Sequence, residues 1–105
     1  MDKYIKDGKV AVLISHGFGA GWSSWNSWNS NSDELMFDPE LVKAVLENKQ
    51  KRIITRAKEI CPDGYFGGID GLTVVWVPEG EKFEITEYDG AESLKIISEQ
   101  SYYTA

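Results

Sequence analysis

The sequence predicts an α+β domain, with a mainly antiparallel sheet of about three to five strands and one or two helices in the middle of the chain. Three observations lead there. A β-branched apolar run, KVAVLIS at residues 9–15, breaks off at a glycine-rich turn. Phe-Asp-Pro-Glu at residues 37–40 opens a helix-patterned stretch. The last third then carries strand-patterned segments in succession, separated by Pro-Glu-Gly and Asp-Gly. At 105 residues the chain makes one domain, residues 1–105, and buries roughly two-thirds of its unfolded surface.

Residues 9–15 read as a buried strand, because apolar side chains occupy both alternating faces. Gly17, Gly19 and Gly21 follow it, so the backbone there can approach a partner closely. Residues 22–32 set Ser or Asn at most positions between tryptophans. Those side chains compete for backbone hydrogen bonds, and an ordered loop is expected. Asp38 is the expected N-cap of a helix, with Pro39 at its first position and Glu40 at the positive end of its dipole. Leu41, Val42, Val45 and Leu46 form that helix's apolar stripe. A second helix over about residues 50–60 turns Ile53, Ile54, Ala57 and Ile60 inward and stops before Pro62. LTVVWVP at residues 72–78 reads as a strand. EKFEITEYDG then alternates, with Phe83, Ile85 and Glu87 on one face and Glu84, Thr86 and Tyr88 on the other. Asp89-Gly90 is a hairpin turn signal, and SLKIIS supplies the returning strand.

Composition excludes several function classes. Hydrophobic residues at 42% and charged residues at 27% fit an ordered globule. Cys61 is the only cysteine and His16 the only histidine, so neither an intrachain disulfide nor a metal site is expected, and no cofactor is implied. The opening MDKYIKDGK lacks a signal peptide's apolar stretch, and no apolar run approaches the ~18 residues that span a bilayer. A cytoplasmic protein with no membrane partner is expected. The net charge of −6 opposes binding to DNA or RNA polymers. Charge is uneven, however: KQKRIITRAK, residues 49–58, holds five cations and no acid. Such a run is usually a solvated helix face; the alternative is a positive neighbourhood for a small anion.

The run VLISHGFGAGWSSW, residues 12–25, resembles the oxyanion turn of α/β-hydrolases over those 14 residues. The remaining machinery is missing. There is no Gly-x-Ser-x-Gly elbow, the chain is too short for the parallel sheet, and His16 sits at the oxyanion position rather than late in the chain. No nucleophile, base and orienter converge, so a binder is expected and no residue is assigned to catalysis.

Trp22, Trp25 and Trp28 fall within seven residues. Core packing and a binding or oligomer surface are both open readings, since three indoles are hard to bury together and each needs a partner for its N–H. On the binding reading the stretch is a pocket wall. His16 donates, Gly17, Phe18, Gly19 and Gly21 form the turn, and Trp22 or Trp25 stacks. Ser23, Ser24 and Asn26 meet the polar edges of a base or phosphate. Tyr65 and Phe66, beside Gly67 and Gly68, would face this wall, with Arg56 supplying charge.

The blocks VAVLISHGFGAGWSSWN, FDPELV, GGIDGL and VVWVPEGEKFEITEYDGAESL resemble a family of small bacteriophage-encoded proteins. The most distinctive match is VWVPEG followed by EYDG and ESL; the WNS insertion near residues 27–31 departs from the pattern and puts Trp28 in doubt. The resemblance implies an immune-evasion sponge that sequesters a cyclic nucleotide signal, a cyclic dinucleotide such as the cGAMP of CBASS defence, without hydrolysing it. It also implies a homodimer or higher homo-oligomer in the host bacterial cytoplasm. The second function class is a small phage protein that docks on a host protein through its Trp-rich loop. On the sponge reading a two-fold pocket between subunits matches a symmetric ligand, and the Trp loop is expected at or near that interface.

Overall fold

The computed structural model describes residues 2–17 and 21–97. The chain begins with a hairpin of β1 (Ile5–Lys6) and β2 (Lys9–Ser15), in which Ile5 pairs with Val10 and Lys6 with Lys9. Asp7 and Gly8 make its turn at φ of 53° and 77°, the two left-handed positions that a tight hairpin of right-twisted strands requires. A 3-10 turn (Ser23–Asn26) follows, then three helices: α1 (Ser32–Phe37), α2 (Pro39–Leu46) and α3 (Gln50–Ile60). The described residues then close with β3 (Leu72–Pro78), β4 (Lys82–Tyr88) and β5 (Ala91–Ile97). Two antiparallel sheets result, β1-β2-β3 and β4-β5. The expected α+β class is the class observed.

β2 is the centre of the molecule. It pairs with β3 from Lys9 against Pro78 to Ser15 against Leu72, and residues 10–15 are all buried. Because successive side chains alternate between faces, β2 serves two cores. Ala11 and Leu13 face the helices, packing with Trp22, Leu35, Leu41, Val42, Ile53 and Ala57. Val10, Val12 and Ile14 face the other way, with Val77 and the half-buried Phe83, Ile85 and Leu94 of the β4-β5 hairpin. Helices, a three-stranded sheet and a hairpin therefore form three layers. No described helix is long and apolar enough to cross a membrane.

α2 starts as the sequence requires. The Asp38 carboxylate accepts from the Leu41 N–H at 3.0 Å, with Pro39 at the first turn. It ends at Asn48, φ 57°, where the Lys49 N–H donates to Ala44 O at 2.9 Å and the Asn48 N–H to Val45 O at 3.1 Å. The inward stripe differs by one residue from expectation: Ala44 is buried, and Leu46, in the last turn, is half exposed. Ile54 of α3 is only half-buried. α1 begins where the expected loop of residues 22–32 ends, overlapping it only at Ser32. Six residues are too few for a helix to persist alone, but Asp33 and Glu34 occupy its first turn and Leu35 is fully buried, so packing holds it. Cys61 closes α3, and burial together with nearby Glu34 pushes its thiol above the usual range, so it stays protonated.

Asp38 also receives Arg56 of α3 in a bidentate pair, Nε at 3.0 Å and a terminal nitrogen at 2.9 Å. Burial pushes the Asp38 carboxyl up, but the Arg56 and Leu41 hydrogen bonds outweigh it and hold the group below its ordinary value. A lowered folded-state value stabilises above the unfolded one and is lost as pH falls. Asp38→Asn, which keeps a capping oxygen, is expected to cost about 1–3 kcal/mol at pH 7. The gap to wild type should close as pH drops below about 4. Urea unfolding of both proteins across that range checks this.

Candidate functional site

The glycine turn and the Trp loop are organised by a residue that sequence reasoning left out. Glu92 is the second residue of β5, and the two-residue Asp89-Gly90 turn puts it opposite Glu87, on the face that carries Ile85 and Leu94. Its side chain is fully buried. One carboxylate oxygen accepts the Ser15 N–H at 2.9 Å; the other accepts the Trp22 N–H at 2.8 Å, the Ser24 N–H at 3.1 Å and the Ser24 hydroxyl at 2.5 Å. The end of β2 and the start of the 3-10 turn thus close around an internal carboxylate. In a hydrolase-like turn, amides at this place would point at a reacting oxygen. Here those of Trp22 and Ser24 have an acceptor from the chain itself.

The expected site residues separate accordingly. Trp22 is core: it is fully buried, its Nε1–H donates to Leu35 O at 2.7 Å, and its ring lies 5.6 Å from that of Phe66. Stacking on a ligand is closed to it. Ser23 is buried, and Ser24 is taken by Glu92. Gly21 does not admit a partner, because a Cβ there would meet Trp25 Cδ1 at 2.5 Å; the chain's own indole fills the space. Gly64 and Gly67 likewise lie under the rings of Phe66 and Tyr65. His16 and Gly17 are exposed, next to Gly71, whose carbonyl accepts the His16 N–H at 3.4 Å. Phe18 and Gly19 lie outside the described residues.

Trp25 and Tyr65 do come together. Their ring centroids are 5.5 Å apart with planes inclined by 32°. Tyr65 is 49% exposed and Trp25 half-buried. Asn26 brings the two loops to one another. Its amide donates to Trp22 O and Tyr65 O, both at 2.8 Å, and its Oδ1 accepts the Tyr65 N–H at 2.6 Å. The buried Asn26 is therefore a brace, and its polar atoms are engaged within the chain rather than presented to a ligand. Trp28, two residues beyond, is 64% exposed.

The basic run faces the acids of α2. Arg56 is held by Asp38, Glu40 and Glu59, and these neighbours raise its value further above the ordinary arginine range; Arg52 contacts Glu40 at 3.4 Å and Lys49 contacts Glu47 at 3.1 Å. Arg56 is thus a structural cation, corrected from its expected place beside a ligand. A cavity of about 430 Å³ sits among Glu40, Lys43, Glu47, Lys49 and Arg52, a mixed-charge cleft separate from the aromatic pair. With the geometry so placed, comparison with family models, with curated proteins and with solved structures finds no match to this chain.

Proposed function

We propose that this protein is a binder without hydrolytic chemistry, which sequesters a cyclic nucleotide by stacking a base on the Trp25–Tyr65 surface. The observation that carries the reading is the Asn26 brace. It holds two large rings from different loops together at the surface, with one of them half exposed, as a pre-organised stacking platform requires. The absence of hydrolysis in this reading is supported by Glu92, which takes the amides that an oxyanion turn would use. Arg56 is already paired, so ring stacking carries more of the affinity than charge does. The ligand class, a cyclic dinucleotide such as cGAMP, follows the resemblance to phage-encoded sponges. Docking on a host protein is the second reading, favoured by the exposed Trp28.

A thermal-shift screen against cyclic di- and trinucleotides tests the first reading. A ligand at a hundred times its dissociation constant adds ~2.7 kcal/mol, an easily seen shift. Trp25→Ala is expected to lose roughly 1–3 kcal/mol of binding and to keep its fold, because Trp25 packs at the surface. The bound nucleotide should be recovered intact after denaturation. No shift with any cyclic nucleotide, together with a host protein captured by wild type and lost on Trp28→Ala, would replace this reading by docking.

A further inference from the structure

Where the helix-side face of the first sheet runs toward the Asp7-Gly8 turn, two lysines and an indole line a cavity. We propose that it binds a small aromatic phosphate, a planar ring carrying a phosphate as in a nucleoside monophosphate. Strand pairing fixes which side chains share this face. Lys6 pairs with Lys9 and Ala11 with Trp76, and side chains alternate along β2, so Lys6, Lys9, Ala11 and Trp76 point the same way. Ala11 is fully buried in the helix-side core, and Tyr4 and Trp76 pack at its border with rings 6.0 Å apart and planes inclined by 58°. Toward the turn the cover thins: Lys6 and Lys9 are exposed and Trp76 is half-buried. The cavity there holds about 290 Å³, lined among the described residues by Lys6, Asp7, Lys9 and Trp76.

The lining supplies both parts of that ligand's recognition. The two-residue turn sets Lys6 and Lys9 directly opposite each other, and like charges so placed repel. Among the described residues neither lysine side chain forms an ion pair or a hydrogen bond. A phosphate accepts from both ammonium groups at once and replaces the repulsion by two charge-assisted contacts. Trp76 supplies the ring, and Tyr4 packs on the same indole and restricts its rotation. The Trp76 Nε1–H has no acceptor among the described residues, where no buried side-chain nitrogen or oxygen lacks a partner, so that edge of the indole reaches solvent. An aromatic wall of this kind takes any base, because every base has a π-face.

Charge and size narrow the class. Asp7 is the one acid of the described lining against two lysines, so the cavity is locally positive on a chain of net charge −6. Glu79 meets the turn through its backbone, its N–H donating to Gly8 O at 2.8 Å, and does not line the cavity. The larger cleft between α2 and α3 differs. Its Lys49 and Arg52 are already paired with Glu47 and Glu40, and it has no aromatic wall among the described residues. A volume of about 290 Å³ lies at the small end of ligand sites, ~300–1,000 Å³, and suits one ring with one phosphate better than a cyclic dinucleotide. The site shares no residue with the Trp25–Tyr65 surface, so the two readings stand or fall separately.

Titration of the nitrogen-15-labelled full chain with adenosine 5′-monophosphate, to about 5 mM and followed by NMR, tests it. The Trp76 Nε1–H and the backbone amides from Lys6 to Lys9 should shift together and saturate. Binding should weaken as salt rises from about 20 to 200 mM. Lys6→Gln and Lys9→Gln should each raise the dissociation constant at least fivefold. Without ligand, both variants should melt at or above the wild-type temperature, since either change relieves the repulsion. Adenosine and inorganic phosphate, which each carry half of the ligand, should bind at least tenfold more weakly than the monophosphate. Trp25→Ala should leave the titration unchanged. A titration that moves neither the indole nor the lysine amides would overturn the proposal. So would lysine variants that bind like wild type, or inorganic phosphate binding as well as the monophosphate. Loss of these shifts in Trp25→Ala would place the nucleotide on the Trp25–Tyr65 surface and overturn it as well.

Discussion

Trp22→Ala is expected to cost about 3–5 kcal/mol, enough to leave a domain of this size largely unfolded. Three losses coincide at this position. The indole is fully buried in the core between β2 and the helices, and truncation leaves a cavity that its surroundings fill only in part. The Leu35 carbonyl loses its Nε1–H donor at 2.7 Å, at the only buried position of α1. Phe66 loses the ring that positions it. α1 should fray with the mutation, since burial holds a helix too short to persist alone. Urea denaturation and hydrogen exchange of the α1 amides measure both effects. Trp25→Ala is the control: a half-buried ring should cost much less stability. Equal losses at the two tryptophans would mean that the loop is a single packed unit, and the stacking surface would lose its basis.

The strands marked by β-branched apolar runs, and the hairpin marked by its turn residues, are legible in the sequence. β2 and β3 have the bounds expected from KVAVLIS and LTVVWVP, and the Asp89-Gly90 hairpin forms with both turn residues at positive φ. The Asp7-Gly8 pair carries the same signal, but the strand it turns from, β1, is only two residues long and has no apolar run to mark it. The Trp loop was legible as a feature but not as a division of labour. Trp22, Trp25 and Trp28 stand in near-identical Ser/Asn surroundings, yet they end as core, half-buried and exposed. That ordering follows from which strand, helix and loop close around them, all distant in the chain. Alternation puts Glu87, itself exposed, on the face of Phe83 and Ile85, and counting across the two-residue turn puts Glu92 opposite it. The inward direction of Glu92 was therefore in the sequence. Its acceptors' task was not, because the amides of Ser15, Trp22 and Ser24 lie about seventy residues away.

Glu92→Ala is the second large effect expected, about 3–5 kcal/mol, for a different reason. Beyond the space it leaves, the variant removes the acceptor for buried N–H groups at Ser15 and Trp22 and for the part-buried Ser24. Each buried amide that loses its acceptor costs about 1–3 kcal/mol. Glu92→Gln should fall between the alanine variant and wild type. It keeps one acceptor oxygen, but its NH2 must then face N–H donors on one side of the cluster. The tip of the β4-β5 hairpin should loosen in both, because Glu92 ties it to the end of β2. The cluster after truncation is a set of converging donors around a space once filled by a carboxylate. Formate or acetate at about 0.1 M should therefore raise the melting temperature of Glu92→Ala more than that of wild type or Glu92→Gln. Such rescue would establish that the turn is an anion cradle occupied from within. A Glu92→Ala protein as stable as wild type, or one indifferent to carboxylates, would mean that water serves these amides well enough, and that Glu92 is not what closes the turn.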